Sequence, residues 1–183
     1  MTTLPEKIVA MHQSLERAGI EHAFGGALAL AWCTQRARGT IDIDLNVFVP
    51  SGEARRVFDR FPHDVIWTET DVDTTERDGQ VRVWWDETPV DVFLNTTPFH
   101  DQLATRARWE TFLGQRVPFL ACRDLAVFKV FFDRTKDWAD LEEMATAGTL
   151  DIEAVLGVVV HYLGADQRIE RLRVLGRSFG GAS

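Results

Sequence analysis

The chain has 183 residues, 45% hydrophobic and 26% charged, with six Trp and twelve Phe; this suits one compact domain, or a domain with a small helical extension, whose core needs no staples. Its formal charge of −8 argues against a dedicated nucleic-acid-binding module, while leaving room for a polyanion held by a local patch. Cys33 and Cys122, far apart and without a CxxC, and five His without ligand spacing argue against a disulfide framework and a zinc site; no apolar run would span a bilayer and no signal segment is visible, so a reducing cytoplasm is the expected location.

Residues 5–18 read as a helix, with Ile8, Met11 and Leu15 at helical spacing and Gly19 as its stop. Residues 20–24 are a short strand. Gly25-Gly26 then opens an Ala/Leu-rich helix to about residue 35. Residues 41–49 alternate Ile, Asp, Ile, Asp, Leu and then turn apolar, which predicts a strand with one chemically special face. Ser51 is placed as the N-cap of a helix through residue 61. Strands follow at 65–68, 80–85 and 90–94, with the polar stretch 71–79 read as a loop or hairpin connection. A short helix at 99–109 and a strand at 117–121 come next. Residues 124–132 and 138–147 are helical, broken near 133–136; 152–163 is a strongly apolar helix, and a basic helix with Arg168, Arg171, Arg173 and Arg177 ends the chain. Strands come first and helices last, which predicts an α+β fold.

Chemistry concentrates between residues 24 and 45. Asp42 and Asp44 stand at i and i+2, so on a strand they share a face with their Cα atoms roughly 7 Å apart. Carboxylates at that spacing can share divalent metal, and magnesium favours oxygen donors together with substrate phosphates. The bland alternative is two solvated aspartates on an edge strand. Fifteen residues separate Gly26 from Asp42, enough for one helix and its return. The glycines would let backbone N–H groups approach a phosphate at a helix N-terminus; the alternative is a tight turn with no ligand. Asp91, inside the apolar run Pro89-Val90-Asp91-Val92-Phe93-Leu94, is costly there unless it is paired or binds metal. If its strand lies beside that of Asp42, it completes a triad and can help activate an acceptor hydroxyl. Asp86 competes for that role.

The order of glycine pair, helix, DxD strand and later strand Asp resembles the polymerase-β-like nucleotidyltransferase superfamily. Within it, Gly25-Gly26-Ala27-Leu28-Ala29 and Arg38-Gly39-Thr40-Ile41-Asp42-Ile43-Asp44-Leu45 are most similar to AbiEii-type toxins, the related mycobacterial nucleotidyltransferase toxins and lincosamide-type transferases. Lys129, followed by Arg134-Thr135-Lys136-Asp137-Trp138-Ala139-Asp140-Leu141, resembles a second motif of that group. The likeness covers roughly residues 23–141; the last forty or so residues add nothing to it.

The resemblance implies a small mixed-sheet nucleotidyltransferase core over residues 1–121, with a helical C-terminal part over 122–183 packed on it or merged into one domain. It implies that Asp42, Asp44 and Asp91 hold Mg2+ (or Mn2+) and that Lys129 offsets charge on the leaving pyrophosphate. Gly25, Gly26, Arg38, Thr40, Arg134, Lys136, Asp137 and Asp140 are then the nucleotide-binding set. Asp137 and Asp140, three apart on a helix, would orient Lys129 or Lys136, cap the helix or touch the nucleotide. The activity implied is transfer of a nucleoside monophosphate from an NTP to an acceptor hydroxyl. The toxin likeness points to a tRNA 3′ end, to a cognate antitoxin partner and to Thr40 as a site of inactivating phosphorylation. Arg106, Arg108 and the basic tail suit an RNA backbone, whereas the acidic total charge favours an antibiotic-like small molecule. A non-catalytic nucleotide-binding protein on the same fold is the remaining alternative. DxD also occurs in glycosyltransferases, which are usually longer, and in haloacid-dehalogenase-like phosphatases, where the apolar run precedes the pair instead of following it.

Overall fold

A computed structural model describes residues 2–179. Two compact units divide it: residues 1–26 with 39–120, and residues 27–38 with 121–183.

The first unit begins with α1 (Leu4–Arg17). The Thr3 backbone N–H donates to Glu6 Oε2 at 2.7 Å, and the helix buries Ile8, Met11 and Leu15 completely. Strand β1 (His22–Phe24) leads into the glycine turn, from which α2 (Gly26–Thr34) passes into the second unit. The chain returns to form β2 (Ile43–Pro50), α3 (Ala54–Phe58), β3 (Val65–Ile66), α4 (Glu69–Asp78), β4 (Gln80–Trp85), β5 (Thr88–Asn95), α5 (Leu103–Arg106), β6 (Arg108–Phe112) and β7 (Gln115–Phe119). The seven strands form one mixed sheet in the order β3-β4-β5-β2-β1-β7-β6. The β2–β5 and β1–β7 pairs are parallel and the rest antiparallel. With the helices around it, this is an α+β architecture with a mixed sheet.

Period-2 alternation gives the sheet two faces. Ile43, Leu45, Val47, Val83, Trp85, Val90, Val92 and Leu94 are buried. Asp44, Arg82, Trp84 and Asp91 stand at the alternate positions and keep part of their surface exposed.

The helical unit follows β7, with α6 (Cys122–Phe132), α7 (Thr135–Thr146), α8 (Ile152–Leu163) and α9 (Gln167–Phe179). The break between α6 and α7 falls at Asp133, whose φ of +55° cannot continue a helix. In α8 Val155 and Val159 are buried, and in α9 Ile169 and Leu172.

Several expectations need correction. The polar stretch 71–79 is no loop: it is most of α4. Thr68 and Asp71 form a reciprocal capping box, Gly79 closes the helix at φ +74°, and only Val72 and Thr75 face inward, so the apolar stripe is too narrow to read. Ser51 does not cap the following helix. It opens a short 3-10 turn (Ser51–Glu53), and its hydroxyl donates to the Glu76 carbonyl at 3.2 Å. The helix expected over 99–109 shrinks to a 3-10 turn and the four residues of α5, and β6 takes over at Arg108. That strand pairs with β7 through a Leu113-Gly114 turn with φ +46° and +74°.

Cys33 and Cys122 also depart from expectation. They form a disulfide within the helical unit, joining α2 to α6 with Cα atoms 5.6 Å apart across 89 residues. Two isolated cysteines carry no sequence signal of proximity; only the packing of the two helices brings them together.

Candidate active site

On the sheet, β2 and β5 run side by side with Asp44 directly beside Asp91. Register partners on adjacent parallel strands point to the same side, with their strands about 4.8 Å apart. β4 pairs with β5 on its other edge and places Arg82 opposite Asp91. The Arg82 guanidinium grips that carboxylate through two hydrogen bonds, Nε to Oδ1 and Nη2 to Oδ2, both 2.7 Å. Asp44, Asp91 and Arg82 thus form one row across three strands. The charge expected to be costly inside the 89–94 run is met by this bidentate pair, and the Asp91 side chain keeps 20% exposure.

Arg82 also reports on Asp42. Its charged form is favoured beyond the ordinary arginine range, first by the hydrogen bonds to Asp91, against a burial cost, with the charges of Asp91, Asp42 and Asp44 adding. Asp42 therefore belongs to the same electrostatic group, although it lies just outside the strand, since β2 begins at Ile43. Thr40 precedes the strand as well. The backbone bends at Ile41, and the Thr40 hydroxyl donates to the Asp42 carboxylate. Asp86, the competing carboxylate, sits in the β4–β5 turn at φ +51° and pairs with the buried Lys7 ammonium at 3.0 Å.

The glycine turn is built around Asp44. The Gly25 N–H donates to the Asp44 carbonyl at 2.8 Å. Gly26 has φ +54°, and a β-carbon there would collide with Asp44 Oδ2. A β-carbon on Gly25 would lie 2.9 Å from the Asn46 amide and 3.2 Å from Leu120. Only a glycine pair lets the start of α2 press this closely against the DxD strand.

Oxygen donors suit a hard divalent cation, and Asp42, Asp44 and Asp91 supply only oxygens. Among the described residues, no three His, Cys, Asp or Glu side chains are already gathered into a metal cluster. Each Asp91 oxygen accepts one hydrogen bond from Arg82 and keeps a further lone pair for a cation.

The second motif builds a separate ion network in the helical unit. Lys129, on the last turn of α6, is 5% exposed. It donates to Asp140 Oδ2 at 2.5 Å and lies 3.7 Å from Asp137 Oδ1. Asp140 also accepts from Arg38 at 2.5 Å. Asp137 accepts from the Arg134 backbone N–H at 3.2 Å and from its Nε at 2.7 Å, which caps α7. Asp137 and Asp140 are almost fully buried, while Arg38 and Arg134 keep 45% and 54% of their side-chain surface exposed. Two buried carboxylates thus hold one buried ammonium and present two guanidinium groups to solvent. Lys136 stands on the exposed side of α7. Sequence reasoning overlooked Arg82 and Asn46. The signal was there for Arg82, since the alternation of residues 80–85 puts it on the exposed face, but only the register sets it against Asp91.

No protein-family model and no curated protein matches this sequence. Solved structures do match its fold. The antibiotic-resistance factor ANT(2'')-Ia superposes with a TM-score of 0.55 at 14% identity, over 97% of this chain and 92% of that one. A lincomycin-bound structure of the lincosamide antibiotic adenylyltransferase LnuA gives 0.53 at 9% identity, over 80% and 99%. An antigenic nucleotidyltransferase-like protein from Paracoccidioides brasiliensis gives 0.53 at 13% identity, over 94% and 87%. The chain therefore has the fold of nucleotidyltransferases.

Proposed function

We propose that this chain is a nucleotidyltransferase that moves a nucleoside monophosphate from an NTP to an acceptor hydroxyl. The observation that carries the proposal is the glycine pair pressed against Asp44, which stands beside Asp91 on the neighbouring parallel strand. A Gly-Gly turn at a helix start is suited to phosphate, and paired strand carboxylates to cation-dependent phosphoryl chemistry. The fold shared with ANT(2'')-Ia and LnuA agrees with this reading.

In this mechanism Asp42, Asp44 and Asp91 would hold Mg2+ (or Mn2+), which would supply positive charge against the triphosphate. Asp91 accepts the proton of the acceptor hydroxyl as the oxygen attacks the α-phosphate in line and pyrophosphate leaves. Backbone N–H groups at the Gly25-Gly26 turn orient the phosphates. Arg82 holds the Asp91 carboxylate in place through its two hydrogen bonds. Arg38, Arg134 and Lys136 of the helical unit are taken as nucleotide-binding cations, and Lys129 as the charge for the leaving group, on the motif resemblance alone; within that unit Lys129 holds Asp140, which also holds Arg38.

The Thr40 hydroxyl rests against Asp42, so a phosphate there would set like charges together. That contact agrees with the reading of Thr40 as an off-switch; an antitoxin protein to operate it and a tRNA 3′ end as acceptor rest on the motif resemblance alone. The basic tail supports RNA less well. Arg168 is held by Asp166, whose carboxyl it draws down to about 2, and Arg173 and Arg177 both lie against Glu170.

The test is a labelled-nucleotide assay with each of the four triphosphates against total tRNA and a panel of aminoglycosides and lincosamides. Label is expected on one acceptor class, with a drop of at least ~10³-fold for Asp42→Asn or Asp44→Asn and unchanged far-UV circular dichroism. Wild-type-like transfer by either variant in magnesium would overturn the assignment.

A further inference from the structure

We infer that a cavity at the start of β1 is a second ligand site, separate from the carboxylate row, and that its ligand is a small flat cation: an aromatic ring bearing an amidinium or ammonium group. This goes beyond the nucleotidyltransferase reading and does not depend on it.

The cavity lies within the first unit and has a volume of about 220 Å³. Its walls come from α1, the turn after it, and parts of β1, β2, α5, β6 and β7; Asp42, Asp44, Asp91 and Arg82 are not among its lining residues. His12 and His22 line it and are 2% and 6% exposed, and the reaction proposed above uses neither.

The hydrogen bonds fix where the imidazole protons sit. The Ile20 carbonyl can only accept, so His22 Nδ1, 2.8 Å away, carries a hydrogen. In the neutral ring His22 Nε2 is then an acceptor, and His12 Nδ1 donates to it across 2.9 Å. His12 Nε2 is left as a lone pair. It stands 3.7 Å from Glu16 Oε2, a second acceptor and too distant for a hydrogen bond, and the Arg116 carbonyl favours a proton on the same ring. Burial nevertheless lowers both imidazoles below their ordinary 6.5, so the pair is neutral at pH 7. Acceptors thus converge at the His12 end of the cavity, and a ligand N–H group supplies the missing donor.

The walls define the rest of the ligand. Trp109 is 45% exposed, and its ring meets that of His12 edge-on with centroids 5.9 Å apart. Phe48 and Pro118 add apolar lining, which suits a flat ring. The charged lining residues are Glu16 and Glu21, both acids, so the field favours a cation and opposes a carboxylate or phosphate. The volume is below that of drug-sized sites, which restricts the ligand to one ring and its head group.

The test is calorimetric titration at neutral pH in EDTA, without triphosphate, with benzamidine as the cation and benzoate as its anionic counterpart. Wild-type protein is expected to bind benzamidine at one site with Kd below about 1 mM and not to bind benzoate. Glu16→Gln, at a side chain 61% exposed, and Trp109→Ala are each expected to weaken benzamidine about tenfold, while Asp44→Asn leaves its affinity unchanged. No saturable binding of benzamidine by wild-type protein, benzoate bound as tightly, or full affinity in both Glu16→Gln and Trp109→Ala would overturn the site. Binding lost in Asp44→Asn and retained in Glu16→Gln would overturn it too, by putting the cation on the carboxylate row.

Discussion

At Gly26 the backbone takes φ +54° and the space for a β-carbon is filled by the Asp44 carboxylate. Gly26→Ala must therefore either strain the turn or push Asp44 away from Asp91. The expected cost is about 1–3 kcal/mol of stability, read from urea denaturation, together with near-complete loss of nucleotidyl transfer. A fully active Gly26→Ala protein would separate the turn from the chemistry. Asp91 makes the complementary point. A lone acid in an apolar strand signals a partner, and that partner proves to be a neighbouring guanidinium, positioned by nothing more than antiparallel register.

Elements are tied together by features that local sequence shows only in part. α6 and α7 are joined through the Lys129, Asp137 and Asp140 ion pairs, whose members are legible as a motif. α2 and α6 are joined by the Cys33–Cys122 disulfide, which is not. Closing a loop of 89 residues restricts the unfolded chain by about 4.6 kcal/mol at most in the loop-entropy account. Oxidised protein is therefore expected to show no free thiol after denaturation with Ellman's reagent. It should also lose part of its stability on reduction or on Cys33→Ser substitution. Two reactive thiols in unreduced, denatured protein would contradict the bridge.

For the whole molecule, acid sensitivity follows from a buried histidine pair in the first unit. His12 Nδ1 and His22 Nε2 are 2.9 Å apart, and His22 Nδ1 lies 2.8 Å from the Ile20 carbonyl. Burial, working against the hydrogen bond to Ile20, pushes His22 down from its ordinary 6.5 to about 4. His12 is lowered too, chiefly by burial, with Glu16 opposing. The unfolded chain then binds a proton that the folded one refuses, so stability is full above pH 6.5 and falls as pH drops toward 4. For His22 the loss amounts to about 3 kcal/mol across that window. Urea midpoints measured from pH 7 to pH 4.5 should fall accordingly, and His22→Gln should flatten the profile. An unchanged slope in that variant would assign the sensitivity elsewhere. Among the described residues no helix is long and apolar enough to cross a membrane.

The amino-acid sequence alone determined the elements whose signals are local. Ile8, Met11 and Leu15 mark α1, the apolar run 152–163 marks α8, and the Gly-Gly turn, DxD pair and Lys129…Asp140 motif mark the candidate site residues, because helical period, glycine freedom and charge spacing act within a few residues. α4 escaped because its caps lie at its ends and only two side chains face inward. β6 escaped because none of its five residues is buried and Arg108, Glu110 and Phe112 share one face, so no apolar row marks it. Tertiary structure alone decided what depends on contacts between distant segments: Arg82 against Asp91, Arg38 on Asp140, Cys33 bonded to Cys122, and Trp84 beside Ile66 on the carboxylate face. Each of these is fixed by strand register or helix packing, and register is a property of the assembled sheet that no single segment encodes.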